Sequence, residues 1–202
     1  MKLFAIKNKK TNQAGFTLVE LIVSIGLFTV VALVGIGSLL NIVGVNKKTQ
    51  SLKSVVNNIN FAVESISKSI RVGTAYHCEN VSGTTVPSGL DSPRDCASGG
   101  NLIAFEASGG NRSNSTDQIV YRLNGTQIER STNGGVAFVG VTAPEVVITP
   151  STGLRFYVLG SDEDDGLQPK IIIVLRGEVN FGEKATTDFN LQTTVSQREI
   201  DN

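Results

Sequence analysis

The chain has 202 residues, room for one ordinary domain and an appendage but not for two large enzymatic domains. Its composition, with 21 Gly, no Trp and only 3 Tyr, suits a turn-rich all-β or α+β body. The formal charge is zero, yet Lys2, Lys7, Lys9 and Lys10 all fall in the first ten residues; with four lysines gone, the other 14 basic residues face 18 acidic ones, a net −4 opposite in sign to a general nucleic-acid binder.

From Phe16 to Leu40 the only polar residues are Thr17, Glu20, Ser24, Thr29 and Ser38. A helix of about 20 such residues crosses a bilayer, so this run predicts a membrane span. The lysines before it place the first fifteen residues on the cytoplasmic side and the remainder outside. A secretory signal peptide cut near Gly35 or Gly37 is the competing reading; against it stand the length of the apolar run and a glutamate in its first turn. An ionised Glu20 in or near hydrocarbon costs at least a few kcal/mol unless it is paired or protonated. No basic residue lies within helical reach on the same run. A cut between Gly15 and Phe16 would create an α-amino group at the helix tip, and the Glu20 of one copy could then pair with the amine of another.

The segment Lys9-Lys10-Thr11-Asn12-Gln13-Ala14-Gly15-Phe16-Thr17-Leu18-Val19-Glu20-Leu21 resembles the class III signal of type IV pilins and type II secretion pseudopilins. These share a short basic leader, a small residue before the cut, a methylatable Phe after it, and then Thr-Leu-Val-Glu-Leu. The resemblance implies cleavage after Gly15, N-methylation of Phe16 by a prepilin peptidase, and Glu20 as the assembly residue. It further implies a single-pass protein of the cytoplasmic (inner) membrane with its C-terminal domain outside, later part of a filament in the periplasm or at the cell surface. The implied partners are other pilin or pseudopilin subunits, the prepilin peptidase, and the inner-membrane assembly platform with its cytoplasmic ATPase. One departure is that Gly35-Ile36-Gly37 stand where many major pilins carry a kinking Pro, so a fixed kink is not expected.

The implied fold is α+β: a long N-terminal helix packed on an antiparallel sheet body. We divide it as a leader over 1–15, a filament-core helix over 16–45, an amphipathic helix over 46–72 and a β-rich extracytoplasmic domain over 73–202. The amphipathic part rests on its own pattern, since Leu52, Val55, Val56, Ile59, Val63, Ile66 and Ile70 share one helical face. Gly73 is expected to end the helix. Residues 73–101 read as a loop holding Cys78 and Cys96. If this part is exported, the two cysteines are expected to form a disulfide worth roughly 3 kcal/mol in the chain-entropy model, the alternative being two buried thiols. Strands are predicted at 102–106, 118–123, 126–130, 136–139, 145–149, 154–159, 170–179 and 187–195, with Asn124-Gly125 as a two-residue hairpin turn. The last strand alternates, with Phe189, Leu191, Thr193 and Val195 on its inner side. The stretches at 119–131 and 189–198 are similar to the bodies of minor, J-like pilins or pseudopilins.

No nucleophile motif, Walker loop, HExxH or dinucleotide fingerprint occurs, so no catalytic residue and no cofactor is assigned. Asp162, Asp164 and Asp165 lie in an acidic, glycine-ended run that could hold a Ca²⁺ ion, although such a run more commonly forms a solvated hairpin tip. His77 reads as a polar loop residue. The function expected is that of a minor pilin or pseudopilin in a type IV pilus, type II secretion or competence filament. The alternative is a filament-tip binding module, an adhesin or a DNA receptor using a patch of Arg122, Arg130, Arg155 and Arg176.

Overall fold

The computed structural model describes residues 15–112, 114–162, 165–180 and 186–198, without the side chains of residues 51 and 180. The leader residues 1–14, and Asp164 of the acidic run, lie outside the described residues. The chain divides into two units, Met1–Lys47 and Lys48–Asn202.

Helix α1 runs from Leu18 to Arg71. It passes through Gly35 and Gly37 without a break in its helical assignment, as the lack of a proline allows. In the first unit every described residue except Ala32 is exposed, including the whole apolar run. Its hydroxyls are nevertheless satisfied: Ser24, Thr29 and Ser38 donate to the carbonyls of Glu20, Ile25 and Val34, four residues back, at 2.7, 2.8 and 3.0 Å. Such back-bonding lets a Ser or Thr face hydrocarbon without an unpaired donor.

In the second unit the helix buries Val55, Ile59, Ala62, Ile66 and Ile70, a regular 3–4 spacing that forms one face. Val63 is half-buried, whereas Leu52 and Val56 are exposed. The small Ala62 takes a central place on that face, where the sequence reading had looked only for large side chains.

The body has two antiparallel sheets. The first contains β1 (Thr74–Glu79), β2 (Leu102–Glu106), β3 (Ile119–Asn124), β4 (Gln127–Ser131) and β5 (Val139–Gly140), in that spatial order. In the second, β8 (Lys170–Asn180) pairs along its whole length with β9 (Thr186–Ser196). Its other edge is shared by β6 (Val146–Ile148) and β7 (Leu154–Leu159). The sheets are joined by a bridge in which Gly100 and Phe156 exchange two backbone hydrogen bonds of 2.8 Å. One core takes side chains from the helix and from both sheets, among them Ile66, Phe105, Tyr121, Phe156 and Ile173. A smaller cluster of Leu90, Leu102, Ala104 and Val120 lies on the opposite face of the first sheet. The amphipathic stripe therefore does pack on a sheet body, and the arrangement is α+β with a pilin-like order of parts.

Several local expectations are corrected. Residues 73–101 are not all loop, because they contain β1. Positions 75–78 of that strand are buried on both faces, so it lacks the alternation by which a half-exposed strand is recognised. The helix does end just before Gly73, as expected, but without a left-handed glycine there. Gly73 is needed for space, since a Cβ there would collide with the Phe105 ring. The helix end is closed instead by Tyr76, whose hydroxyl lies 2.7 Å from the carbonyl oxygen of Ile70 and 2.6 Å from that of Gly73. The strand then bulges between Thr74 and His77, with Ala75 at φ 53°. At the β3–β4 hairpin Asn124 pairs with Gln127, so the two turn residues are Gly125 and Thr126. Gly125 takes the first position at φ 59°, the place where a Gly-first turn needs it. Strand β5 is shorter and later than the 136–139 predicted. The expected alternation of the last strand is present, with Phe189, Leu191 and Thr193 half-buried and Val195 buried between exposed neighbours.

Candidate functional site

The residues marked out for processing and assembly lie at the start of α1. Gly15, Phe16 and Thr17 precede the first helical residue, and Phe16 is 82 % exposed. Thr17 acts as the N-cap: its Oγ1 accepts the backbone N–H of Glu20 at 3.3 Å, and its carbonyl accepts that of Leu21 at 3.1 Å. Glu20 therefore occupies the third helical position of a Thr-x-x-Glu pattern. A carboxylate is favoured there by the positive end of the helix dipole. This role was readable in the sequence, as a threonine three residues before a glutamate at the head of an apolar run, but was not drawn from it. It gives Glu20 a local reason to stand where it does, in addition to any partner.

The helix is long and apolar enough, by length and composition, to cross a membrane. Residues 10–36 match the family described as the prokaryotic N-terminal methylation motif. This is the N-terminal signature of type IV pilin-like precursors. The match covers the basic end of the leader, the Gly15-Phe16 junction, Glu20 and the first half of the apolar run. Such a pilin-like segment implies processing by a prepilin peptidase and assembly with other pilins, and together with the apolar helix it fits a membrane-anchored protein. It points to a structural subunit rather than an enzyme. No curated protein and no solved structure matches the chain.

In the body, Cys78 on β1 and Cys96 form a disulfide, with their Cα atoms 5.6 Å apart. It ties the 80–96 connection to the first sheet beside a backbone pairing in which Arg94 donates to the Tyr76 carbonyl at 2.9 Å and accepts from Cys78 N–H at 3.0 Å. His77 is not a loop residue. It is 5 % exposed on β1, with Nδ1 2.8 Å from the Ser92 carbonyl oxygen, and its ring helps to hold the same connection. Glu79 stands beside it and bonds Arg94 at 2.8 Å. Burial pushes the Glu79 carboxyl up, but its bonds to Arg94 and His77 outweigh that and hold it below the ordinary carboxylate range.

The acidic run shows a turn. Asp162 and Asp165 are exposed, and Asp165 Oδ1 accepts the Leu167 N–H at 2.6 Å, an Asx turn of the kind a solvated tip uses. Among the described residues no three His, Cys, Asp or Glu side chains converge as a metal site would require. Nor do the four arginines make a common surface patch. Arg122 is buried, and Glu129 holds its Nε and Nη2 at 3.0 Å each. Arg155 donates to the side-chain oxygen of Asn80 at 3.0 Å.

Proposed function

We propose that the chain is a minor pilin or pseudopilin, a structural subunit of a type IV pilus-like filament. On this reading prepilin peptidase cleaves after Gly15 and methylates Phe16. The 16–45 helix holds the protein in the cytoplasmic membrane with the body outside. Assembly then moves it, through the inner-membrane platform, into a filament serving a pilus, type II secretion or competence. In the filament, Glu20 of one subunit neutralises the Phe16 amine of another.

One observation carries the reading: the methylation motif at 10–36 covers the start of a helix whose apolar residues up to Val45, Ala32 apart, are exposed, and such a surface must be covered by lipid or by neighbouring helices. The acidic balance left without the leader, and the burial of Arg122 against Glu129, favour this reading over capture of DNA. Intact mass spectrometry of the protein extracted from its native membrane tests it. The expected mass is that of a chain beginning at Phe16 with one added methyl group. A leader still attached, or a chain cut near Gly37, would overturn it.

A further inference from the structure

The second unit turns a large aromatic outward: Phe61 is 70 % exposed on the helix. It borders a groove of about 480 Å³ formed with Ser65 and with residues of β4, β5 and their connection, including Arg130, Ala137 and Val139. Val139 is 73 % exposed, and β5 is the outermost strand of its sheet, with no strand paired to its outer edge among the described residues. Arg130 belongs to the same groove. Its Nε is buried without a hydrogen-bond partner, its guanidinium lies 5.8 Å from the Tyr121 ring centre, and it makes no ion pair among the described residues. A partly apolar groove with a cation at its side that has no ion-pair partner among the described residues suits an apolar side chain flanked by carboxylate.

The body carries such a group on the connection between β7 and β8. Leu167 is 62 % exposed there, and its N–H bond to Asp165 fixes an acid two residues before it. The base of this connection is rigidly held. Asp95 accepts the N–H groups of Gly160 and Ser161 at 2.9 Å each and the Ser161 hydroxyl at 2.6 Å. The far side of the connection lies by the helix end, since Gln197 N–H bonds the Pro169 carbonyl and Arg198 N–H bonds that of Arg71. Phe61 stands about ten residues earlier, ~15 Å back along the helix. Knob and groove are thus different surfaces of one body, offset along its helix. Contacts between unlike surfaces of this kind run head to tail and extend rather than pair off.

We propose that Leu167 of one copy seats against Phe61 and Val139 of the next, with Asp165 beside Arg130. This rests on the filament reading above and adds a body-to-body contact to it. The test uses the full chain in its native cells. Val139→Cys and Leu167→Cys are placed in one chain, and filaments are oxidised mildly and run without reductant. Because both positions are exposed, the fold should tolerate the changes. A disulfide-linked dimer of the chain is expected from the double variant and none from either single variant. In parallel, Arg130→Glu should lower the amount of chain in sheared filaments about tenfold or more, because like charges set face to face across an interface repel. Adding Asp165→Arg should restore it. If the wild-type chain enters filaments but the double variant gives no dimer, or cross-links only to a different protein, the docking is wrong and the filament reading stands. If the wild-type chain is neither cleaved nor found in filaments, the underlying reading itself fails.

Discussion

Glu20 has two physical reasons to be where it is, and substitution can separate them. The first is local. Thr17 caps the helix through the Glu20 N–H, and removing an N-cap costs about 1 kcal/mol, or roughly fivefold in an equilibrium. The second is the proposed pair with a neighbour's Phe16 amine. Breaking one side of a desolvated ion pair leaves the other charge uncompensated, at about 3–5 kcal/mol, which is roughly two to four orders of magnitude in incorporation. Glu20→Gln keeps a side chain accepted at the third helical position but removes the charge. Thr17→Ala removes the cap and keeps the charge. The assay follows leader removal by gel shift and incorporation by the amount of chain in sheared filaments. Both variants should be cleaved. Glu20→Gln should then lose incorporation by at least about a hundredfold, and Thr17→Ala by no more than about fivefold to tenfold. Normal incorporation of Glu20→Gln beside a severe defect in Thr17→Ala would refute the pairing and leave Glu20 a capping residue only.

Three further expectations concern the body. Replacing both Cys78 and Cys96 with Ser removes the disulfide and should destabilise it by roughly 3 kcal/mol, lowering Tm by about 6–12 °C in a thermal melt compared with the oxidised protein. Gly73→Ala puts a methyl group into the Phe105 ring and should cost about 1–3 kcal/mol by denaturant titration, although Ala is the better helix former. Glu106 is buried, which raises its carboxyl above the ordinary range, and Asp117 pushes it the same way. The folded state therefore binds this proton more tightly than the unfolded one, so stability should fall as pH rises from the ordinary carboxylate value through the raised one. Glu106→Gln should flatten that dependence and stabilise the fold near neutrality, because the new amide can donate where the oxygens Asp117 Oδ1 and Gln118 Oε1 have no partner. A steeper pH dependence of Tm in that variant would contradict the argument.

What could be read in the sequence depended on how each element meets solvent. The helix was legible because one half is apolar all round and the other carries a single buried stripe, and its observed end at Arg71 lies one residue from the expected Val72. β9, a strand with one wet face, declared itself through alternation. β1 did not: the 80–96 connection and its disulfide cover the outer face, His77 included, so the period-two signal is lost although the strand is central to the core. Gly73 was placed correctly at the helix end, but what requires a glycine there was not legible. A glycine after a helix suggests a left-handed cap, but here the backbone passes against an aromatic ring that only the tertiary fold supplies. The Arg122–Glu129 pair was hidden because an arginine on a strand looks exposed until its cross-strand partner is known; their register, Arg122 opposite Glu129, follows from a turn that falls one residue later than predicted. At the N-terminus, the charge of Glu20 drew attention while the Thr17 cap three residues before it did not.

The two halves of α1 meet different solvents by different means. In the body, side-chain burial does the work: Ile59, Ile66 and Ile70 are at most 2 % exposed, and fully burying side chains of this size stabilises by about 1.5–3 kcal/mol each. Before Lys48 the helix has no such cover, and its backbone ladder, the Thr17 cap and the three back-bonded hydroxyls already satisfy its polar groups. What remains is apolar surface, which hydrocarbon covers as well as another helix does, so hydrophobicity alone gives little preference between lipid and a neighbouring subunit. A charge does distinguish them. In lipid Glu20 faces no fixed cation, whereas on the proposed reading it would face an ammonium beside a processed neighbour. On this argument the apolar run sets where the subunit can reside and Glu20 sets when it leaves the bilayer, so Glu20→Gln should shift the chain from filament to membrane without lowering its total amount, as fractionation of cells would measure.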